Sequence, residues 1–180
     1  MSSILTAPAI FELKNFFINF LGRVISAVFS VKSGDILSVK IPLRVQFYDT
    51  DEMGVVHHAN YVRWFETGRV EYLRAVDINL NDLIADNILF PITEIKAKYF
   101  HPAHFDDEIE LEITARALTK VKMEFDYKVT LRDGTVLVKG YSENVFTNTQ
   151  TGKIYRLPDK YFSKLEQAMT EELEEKNADC

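Results

Sequence analysis

Residues 48–66 hold most of the side chains in this chain that could do chemistry. The segment contains an aspartate that follows a strand pattern, Asp51, and two adjacent histidines, His57 and His58. A carboxylate can attack a carbonyl carbon or take a proton from water. Imidazole and amide groups can hydrogen-bond to a polarised oxygen. We expect these side chains and a helix that starts at Asn60 to converge on one bound carbonyl group.

Two flanking elements must position these side chains. Apolar and polar residues alternate over residues 39–48, which predicts a half-buried strand. Pro42 faces away from its apolar set, so the strand either lies at an edge of the sheet or begins after Pro42. Asn60 is a favourable N-cap, and a wide apolar face predicts a helix over residues 60–76. Gly68 in mid-helix costs about 1 kcal/mol relative to alanine, so we expect the helix to approach the sheet closely there.

The rest of the pattern indicates antiparallel sheet. Strict alternation predicts three further strands, each with one covered face, over residues 93–99, 109–117 and 121–131. Asp133-Gly134 predicts a hairpin into a fifth strand over residues 135–146. A last helix is expected over residues 158–175. One helix against an antiparallel sheet is α+β architecture, so we predict a curved sheet wrapped around the 60–76 helix.

The order and spacing of these potentially reactive residues also resemble those of a known protein family. Asp49-Thr-Asp-x-x-Gly-Val-Val-x-His-Ala-Asn-Tyr-x-x-Trp-Phe-Glu66 resembles the signature of hotdog-fold acyl-CoA thioesterases. The most similar class is the 4-hydroxybenzoyl-CoA thioesterases, including the YbgC-like enzymes. Phe100-His-Pro-Ala-His-Phe-Asp-Asp107 resembles that family's turn before its long hairpin, and the match covers about residues 38–155. The resemblance implies a hotdog fold and hydrolysis of a CoA thioester without a metal or other cofactor. It also implies a dimer that joins two sheets, with active sites between the subunits.

The resemblance assigns roles to individual residues. The family's catalytic aspartate falls on Asp51, and Asp49 is the weaker candidate. His58 matches the motif histidine that organises the site. Substrate contact is expected from His57, Asn60, Tyr61 and Glu66. His57 stands where relatives often have an aromatic residue, so packing is its alternative role.

Glu66 has two other interpretations. Another hotdog class uses a helix carboxylate for catalysis, which makes Glu66 a rival to Asp51. Glu66 could instead pair with Arg63 or Arg69 on the same helix. The reaction step also stays open, because the carboxylate can act as a nucleophile or as a general base. In either case amides near residues 56–61, at the helix N-terminus, would stabilise the oxyanion.

Other enzyme classes lack their motifs in this sequence. There is no G-x-S-x-G elbow, no H-E-x-x-H pair and only one cysteine, Cys180. Two alternatives remain: an acyl-thioester dehydratase or hydratase of the same fold, and a non-catalytic acyl-CoA binding module.

Composition limits the partners. A net charge of −6 argues against nucleic acid as the main ligand. A single cysteine suits a reducing cytoplasm. The phosphates of CoA would need local basic residues, for which the candidates are Lys96, Lys98, Lys120, Lys122, Lys128 and Arg132. The assembly expected is a homodimer or tetramer.

The ends of the chain lie outside the main domain. Residues 1–35 form an expected extension, with an amphipathic helix over residues 9–31 and a linker over residues 32–35. We expect that helix to pack on the protein or at a subunit contact, with membrane-surface attachment second and a spanning or cleaved segment third. Residues 36–157 form the expected hotdog domain. Residues 158–180 form the C-terminal helix and acidic tail.

Overall fold

The computed structural model describes residues 38–178, with side chains up to residue 169. One five-stranded antiparallel sheet dominates these residues, in the strand order β1-β4-β5-β6-β3. Its strands are β1 (Ser38–Arg44), β3 (Ile92–Tyr99), β4 (Glu108–Leu118), β5 (Lys122–Leu131) and β6 (Val136–Val145). A second, two-stranded sheet pairs β2 (Ile88–Leu89) with β7 (Thr147–Asn148). The helix and linker predicted for residues 9–35 lie outside the described residues.

The central helix α1 (His58–Ala75) packs its apolar face on this sheet. The predicted face is confirmed, since its buried side chains include Tyr61, Phe65, Tyr72 and Leu73. A Cβ atom on Gly68 would lie 3.2 Å from Cδ2 of Leu111 on β4. The predicted close approach of helix and sheet at this glycine is therefore confirmed.

The start of α1 differs from the prediction. Its N-cap is His57, whose Nδ1 accepts a hydrogen bond from the Ala59 amide at 3.3 Å. Asn60 is the third helical residue and is buried, so its predicted role as N-cap is wrong. The helix begins earlier because His57 is already extended and paired with the preceding segment, which leaves its side chain free to cap.

Strand β1 ends before its sequence pattern does. The predicted strand over residues 39–48 stops at Arg44, and Phe47–Asp49 form one turn of 3₁₀-helix. The turn exposes Phe47 and Tyr48 almost fully, at 77% and 79%. The expected edge position is confirmed, because β1 is the first strand of the sheet and Pro42 lies opposite Glu110.

The other strands divide into covered and uncovered ones. Strands β4 and β5 bury alternate residues as predicted, whereas β6 buries the adjacent Leu137 and Val138. Gly134 closes the β5–β6 hairpin with φ of +89°. Strand β3 is wrongly predicted to have a covered face, because seven of its eight residues are exposed in the single chain. It lies at the far edge of the sheet, whereas α1 packs mainly on β4 and on β1 at the opposite edge.

Three short elements were not predicted: α2 (Leu80–Ala85), β2 and β7. Each has six residues or fewer, too short to show a periodic pattern. The predicted last helix is confirmed as α3 (Asp159–Ala178). Within residues 38–178 no helix combines the length and apolar character needed to cross a bilayer.

Gly140 on β6 gives a test of how tightly the helix and sheet pack. A Cβ atom there would lie 2.4 Å from the ring of Phe65, which is fully buried and stacks on Tyr127. We expect Gly140→Ala to lower the free energy of unfolding by about 1–3 kcal/mol, as overpacking does. Urea denaturation measures this. The matched control Lys139→Ala, at an exposed neighbour, should stay within about 0.5 kcal/mol of the wild type. Equal stability of all three proteins would contradict the packing described.

Candidate active site

A tight hairpin over residues 49–57 leads directly into α1. The Asp51 amide donates to the Val55 carbonyl at 2.9 Å, and the His57 amide donates to the Asp49 carbonyl at 2.8 Å. Gly54 closes the turn with φ of +73°, a conformation that side chains with a Cβ rarely adopt. Hydrogen bonds within the hairpin therefore hold Asp51 close in the chain to the start of α1.

The two aspartates of the motif have different surroundings. Asp49 is buried, and its Oδ2 accepts a hydrogen bond from the Gln46 amide at 2.8 Å. Asp51 is only half-buried, and its Oδ1 accepts from the Met53 amide at 2.8 Å. Asp49 therefore fixes the 3₁₀ turn, whereas the carboxylate of Asp51 is the one that a ligand can reach. The catalytic role of Asp51 stays a prediction.

The amides at the start of α1 are mostly occupied. Within residues 56–60 four amides have acceptors, at Val56, His57, Ala59 and Asn60. The His58 amide has no acceptor among the residues that the structure describes. A helix N-terminus carries partial positive charge, and an amide there suits an oxyanion. Of the amides over residues 56–60, the backbone N–H of His58 is therefore the candidate donor to an oxyanion.

Asn60 connects the hairpin to the helix. Its Nδ2 donates to the Asp49 carbonyl at 2.7 Å, and the bond is buried. Its Oδ1 accepts from Nη1 of Arg63 at 3.4 Å. Asn60 therefore holds the backbone beside Asp51 in place, and its predicted contact with substrate stays a prediction.

Aromatic residues brace the first turn of α1. Tyr61 is buried and packs edge-to-face with Tyr99, the ring centroids 5.5 Å apart. The Tyr99 hydroxyl donates to the His58 carbonyl at 3.2 Å. Burial raises the pKa of Tyr61 to about 12, although a hydrogen bond with the Ala103 backbone opposes this. Tyr61 is therefore a neutral phenol at ordinary pH. Tyr99 was not singled out from the sequence, because its contact with the helix spans 41 residues of chain.

The two histidine side chains are exposed. Their ring centroids lie 4.1 Å apart, and the His57 ring caps the helix. The structure thus brings Asp51, the His58 backbone and Tyr61 to one hairpin–helix junction. No hydrogen bond joins either imidazole to the Asp51 carboxylate among the described residues.

Glu66 lies away from this junction. It follows His58 by eight residues, which is ~12 Å along the helix axis. The expected ion pair of Glu66 with Arg63 or Arg69 is wrong: Arg63 donates to Asn60, and Arg69 turns inward to the Tyr127 hydroxyl. Glu66 instead lines a cavity farther along α1.

Large apolar side chains around the hairpin were missed by the sequence analysis. Phe47, Met53 and Phe105 are exposed at 77%, 79% and 56%, and Phe47 packs edge-to-face on Phe105. In the sequence, these residues are distinguished only by lying in or next to the motifs of residues 49–66 and 100–107. Together they form an apolar rim beside Asp51.

Most of the candidate basic residues are already paired. Five of the six lie within 4.0 Å of a carboxylate: Lys96, Lys120, Lys122, Lys128 and Arg132. Lys98 is the sixth, and its ammonium lies 5.3 Å from the centre of the Phe100 ring. In the described part of the chain no group of three or more His, Cys, Asp or Glu side chains has the geometry to hold a metal ion.

Comparisons with known proteins show what this chain is similar to. The family described as "Thioesterase-like superfamily" matches residues 45–169. The acyl-CoA thioester hydrolase YbgC of Escherichia coli O157:H7 is 31% identical over 96 residues, which cover 53% of this chain and 72% of that protein.

Two solved structures are similar over most of the domain. The hypothetical protein TT1821 from Thermus thermophilus superposes with a TM-score of 0.68 at 25% identity, covering 73% of this chain and 98% of that one. The DHNA-CoA thioesterase from Staphylococcus aureus gives a TM-score of 0.71 at 22% identity, covering 79% and 95%. The predicted α+β hotdog fold is confirmed.

A substitution at Asn60 tests how much its hydrogen bond between the hairpin and α1 stabilises the protein. Asn60→Ala removes the buried hydrogen bond to the Asp49 carbonyl, and we expect a loss of about 1–3 kcal/mol in the free energy of unfolding. Thermal and urea denaturation measure it. Asn81→Ala, an exposed asparagine on α2, is the matched control and should change little. A stability unchanged by Asn60→Ala would mean that the hairpin is held by other contacts.

Proposed function

The chain belongs to the thioesterase-like superfamily, and we propose that it hydrolyses acyl-CoA thioesters to the free acid and CoA through Asp51. The observation that carries this proposal is that one short segment holds both groups: the half-buried carboxylate of Asp51 lies in the hairpin, and the His58 amide, which has no acceptor among the described residues, lies at the start of the helix that follows. The relative from E. coli, an acyl-CoA thioester hydrolase, supports the substrate class.

The reaction needs two functions at this junction. The His58 amide donates to the carbonyl oxygen of the thioester and stabilises the negative charge that develops on it. The Asp51 carboxylate either attacks the carbonyl carbon or takes a proton from the attacking water. Attack expels the CoA thiolate and leaves a mixed anhydride, which water then cleaves. General-base catalysis passes the proton from water to Asp51 and then to the departing thiolate.

Neighbouring residues keep this arrangement in place. Asn60 fixes the hairpin that carries Asp51, and Tyr99 holds the first carbonyl of the helix. The exposed imidazoles of His57 and His58 lie at the helix start, where they can contact the acyl or thiol part of the substrate.

We propose a homodimer, or a tetramer built from such dimers, in which two copies of β3 face each other. Strand β3 is an edge whose outer backbone groups have no partner strand within residues 38–178. Its exposed side chains include Ile92, Ile95 and Tyr99, at 39%, 37% and 46%. An exposed, apolar sheet edge is prone to pair with another strand. A second copy would bury it and enclose the nearby junction.

The phosphates of CoA have a candidate site on the outer face of the same edge. Lys98 lies directly opposite Lys139 on β6, and neither forms an ion pair among the described residues. Like charges opposite each other on a sheet repel, and a phosphate between them would remove that repulsion.

A cytoplasmic location is proposed from the single cysteine. Attachment to a membrane surface through residues 9–31 is the alternative, and that segment lies outside the described residues.

Asp51→Asn tests the catalytic assignment. The change keeps the shape and the hydrogen bond to the Met53 amide but removes the carboxylate charge, and we expect kcat to fall by about 10²-fold or more. The assay follows free thiol release from a panel of acyl-CoAs. Asp126→Asn, an exposed carboxylate on β5, is the control and should retain wild-type turnover.

Glu66→Gln is the decisive comparison for that experiment. Near wild-type turnover by a folded Asp51→Asn protein, together with a collapse in Glu66→Gln, would transfer the role to Glu66. Addition of water to an enoyl-CoA without thiol release would identify the hydratase alternative.

Subunit association is tested by a pair of isoleucine variants in the protein of residues 36–180. Light scattering should show at least a dimer for this truncated chain, because β3 lies within it. Ile95→Glu places a charge on the β3 edge and should shift the equilibrium to monomer with loss of activity. Ile154→Glu, on an exposed loop outside the edge, is the matched control and should remain dimeric. A fully active monomer would contradict a site completed by the second subunit.

A further inference from the structure

A cavity of about 300 Å³ lies beside α1, away from the hairpin. Its walls come from α1, from α2 and from the segment that contains β2 and residues 90–91. Most of the lining is apolar, including Leu73, Leu80, Ile84 and Phe90. Glu66 and Arg69 are its two charged residues. A largely apolar pocket with a few polar groups is typical of small-molecule sites.

Arg69 is the unusual member of this lining. Its side chain is 93% buried, since its exposed fraction is 7%. Its hydrogen-bond partner is the neutral Tyr127 hydroxyl, which accepts from Nη1 at 3.0 Å. None of the ion pairs in residues 38–169 involves Arg69, and no carboxylate oxygen of Glu66 lies within 4.0 Å of its guanidinium nitrogens. Burying a charge without an opposite charge is costly, so the guanidinium can accept another partner favourably.

A directed chain of buried hydrogen bonds holds Arg69 in place. The Ser142 hydroxyl gives its hydrogen to Oδ1 of Asn144 at 2.9 Å. Tyr127 must therefore be the donor in its 2.7 Å bond to Ser142, which leaves its oxygen to accept from Arg69. Nδ2 of Asn144 then donates to the Phe90 carbonyl at 3.2 Å, at the wall of the cavity. Burial raises the pKa of Tyr127, so the phenol stays neutral. The chain orients the guanidinium but supplies no negative charge to it.

The cavity and the hairpin junction share one helix. Arg69 follows His58 by eleven residues, which is ~16 Å along the axis, and helical side chains lean back toward the N-terminus. Glu66 and Val70 occupy the same helix face and also line the cavity. An acyl chain whose carbonyl lies at the His58 amide can run along this face toward Arg69.

We infer that the cavity receives the acyl chain and that Arg69 binds an oxygen acceptor, a hydroxyl or a carboxylate, on the distal part of that chain. This inference rests on the proposed thioesterase function. Glu66 is exposed where the cavity meets solvent, so its charge is screened by water. Simple alkyl chains would leave the free donors of Arg69 without an acceptor, and a site of this kind discriminates against a ligand that lacks the matching group.

The test compares matched substrates on the wild-type protein. The substrates are octanoyl-, ω-hydroxyoctanoyl- and octanedioyl-CoA, which have the same chain length and differ only in the group at the far end of the acyl chain. The corresponding hexanoyl and decanoyl compounds test a shorter and a longer chain. For substrates of equal chain length, we expect kcat/KM for the compound with an oxygen-tipped chain, which ends in a hydroxyl or carboxylate, to exceed that of the plain alkyl chain by about tenfold or more. The hydroxyl and carboxylate members show which acceptor is preferred. A preference for the plain chain at every length overturns the inference and leaves the thioesterase function intact.

Variants assign the preference to Arg69. Arg69→Met keeps much of the side-chain volume and should reverse the ratio in favour of the plain chain. Arg74→Met, on the same helix but exposed and paired with Glu71, is the matched control and should keep the wild-type ratio. An unchanged ratio in Arg69→Met overturns the inference. If Arg69→Met does not fold, Tyr127→Phe replaces it, because it removes the acceptor that orients Arg69 and should also reduce the ratio.

A binding measurement separates this inference from the proposed function. Calorimetry of the wild-type protein with methyl octanoate and monomethyl octanedioate asks whether the cavity recognises a distal acidic group without any turnover, because the two esters differ only at that end. Tighter binding of monomethyl octanedioate, lost in Arg69→Met, supports the inference even if no thioester is hydrolysed. Equal binding of both esters, with no oxygen-tip preference in turnover, overturns it.

Discussion

The backbone carbonyl of Asp49 is the point on which the site depends. It accepts two hydrogen bonds, from the His57 amide and from the Asn60 side chain. The first closes the hairpin, and the second ties that hairpin to the first turn of α1. Because both donors belong to the helix start, they tie the hairpin that carries Asp51 to the first turn of α1. The Val56 amide, which donates to the Ala103 carbonyl at 2.8 Å, and the Tyr99 hydroxyl add contacts from distant parts of the chain. The geometry of the candidate site is thus built largely by residues 49–60.

Packing of α1 on the sheet sets the second constraint. Two glycines permit it: Gly68 on the helix faces Leu111, and Gly140 on β6 faces the Phe65 ring. These contacts bring the helix close enough for Arg69 to reach Tyr127 across the interface. Local patterning predicted the helix and the long strands because their periodicity extends over many residues. It also predicted the role of Gly68, since a mid-helix glycine needs a compensating contact.

Features that depend on distant residues were not predictable in this way. The alternation of residues 39–48 continues past Arg44, but the buried carboxylate of Asp49 binds the Gln46 amide and turns the chain. The pairing expected for Glu66 failed because Arg69 finds its partner 58 residues away. The exposure of β3 depends on its place in the sheet away from α1, which alternation cannot reveal. By contrast, the distinction between Asp49 and Asp51 was accessible from the motif, and their burial now gives it a physical basis.

The position of Tyr99 would couple subunit assembly to ligand binding. It is the last residue of the exposed edge strand, and its hydroxyl binds the carbonyl of His58. Any partner that orders this edge also orders the first turn of the helix on which a thioester carbonyl would lie. Two binding events that stabilise the same turn must strengthen each other by the same factor, whichever occurs first. Substrate would then act as a promoter of subunit association, and dilution of the protein would weaken its affinity for substrate.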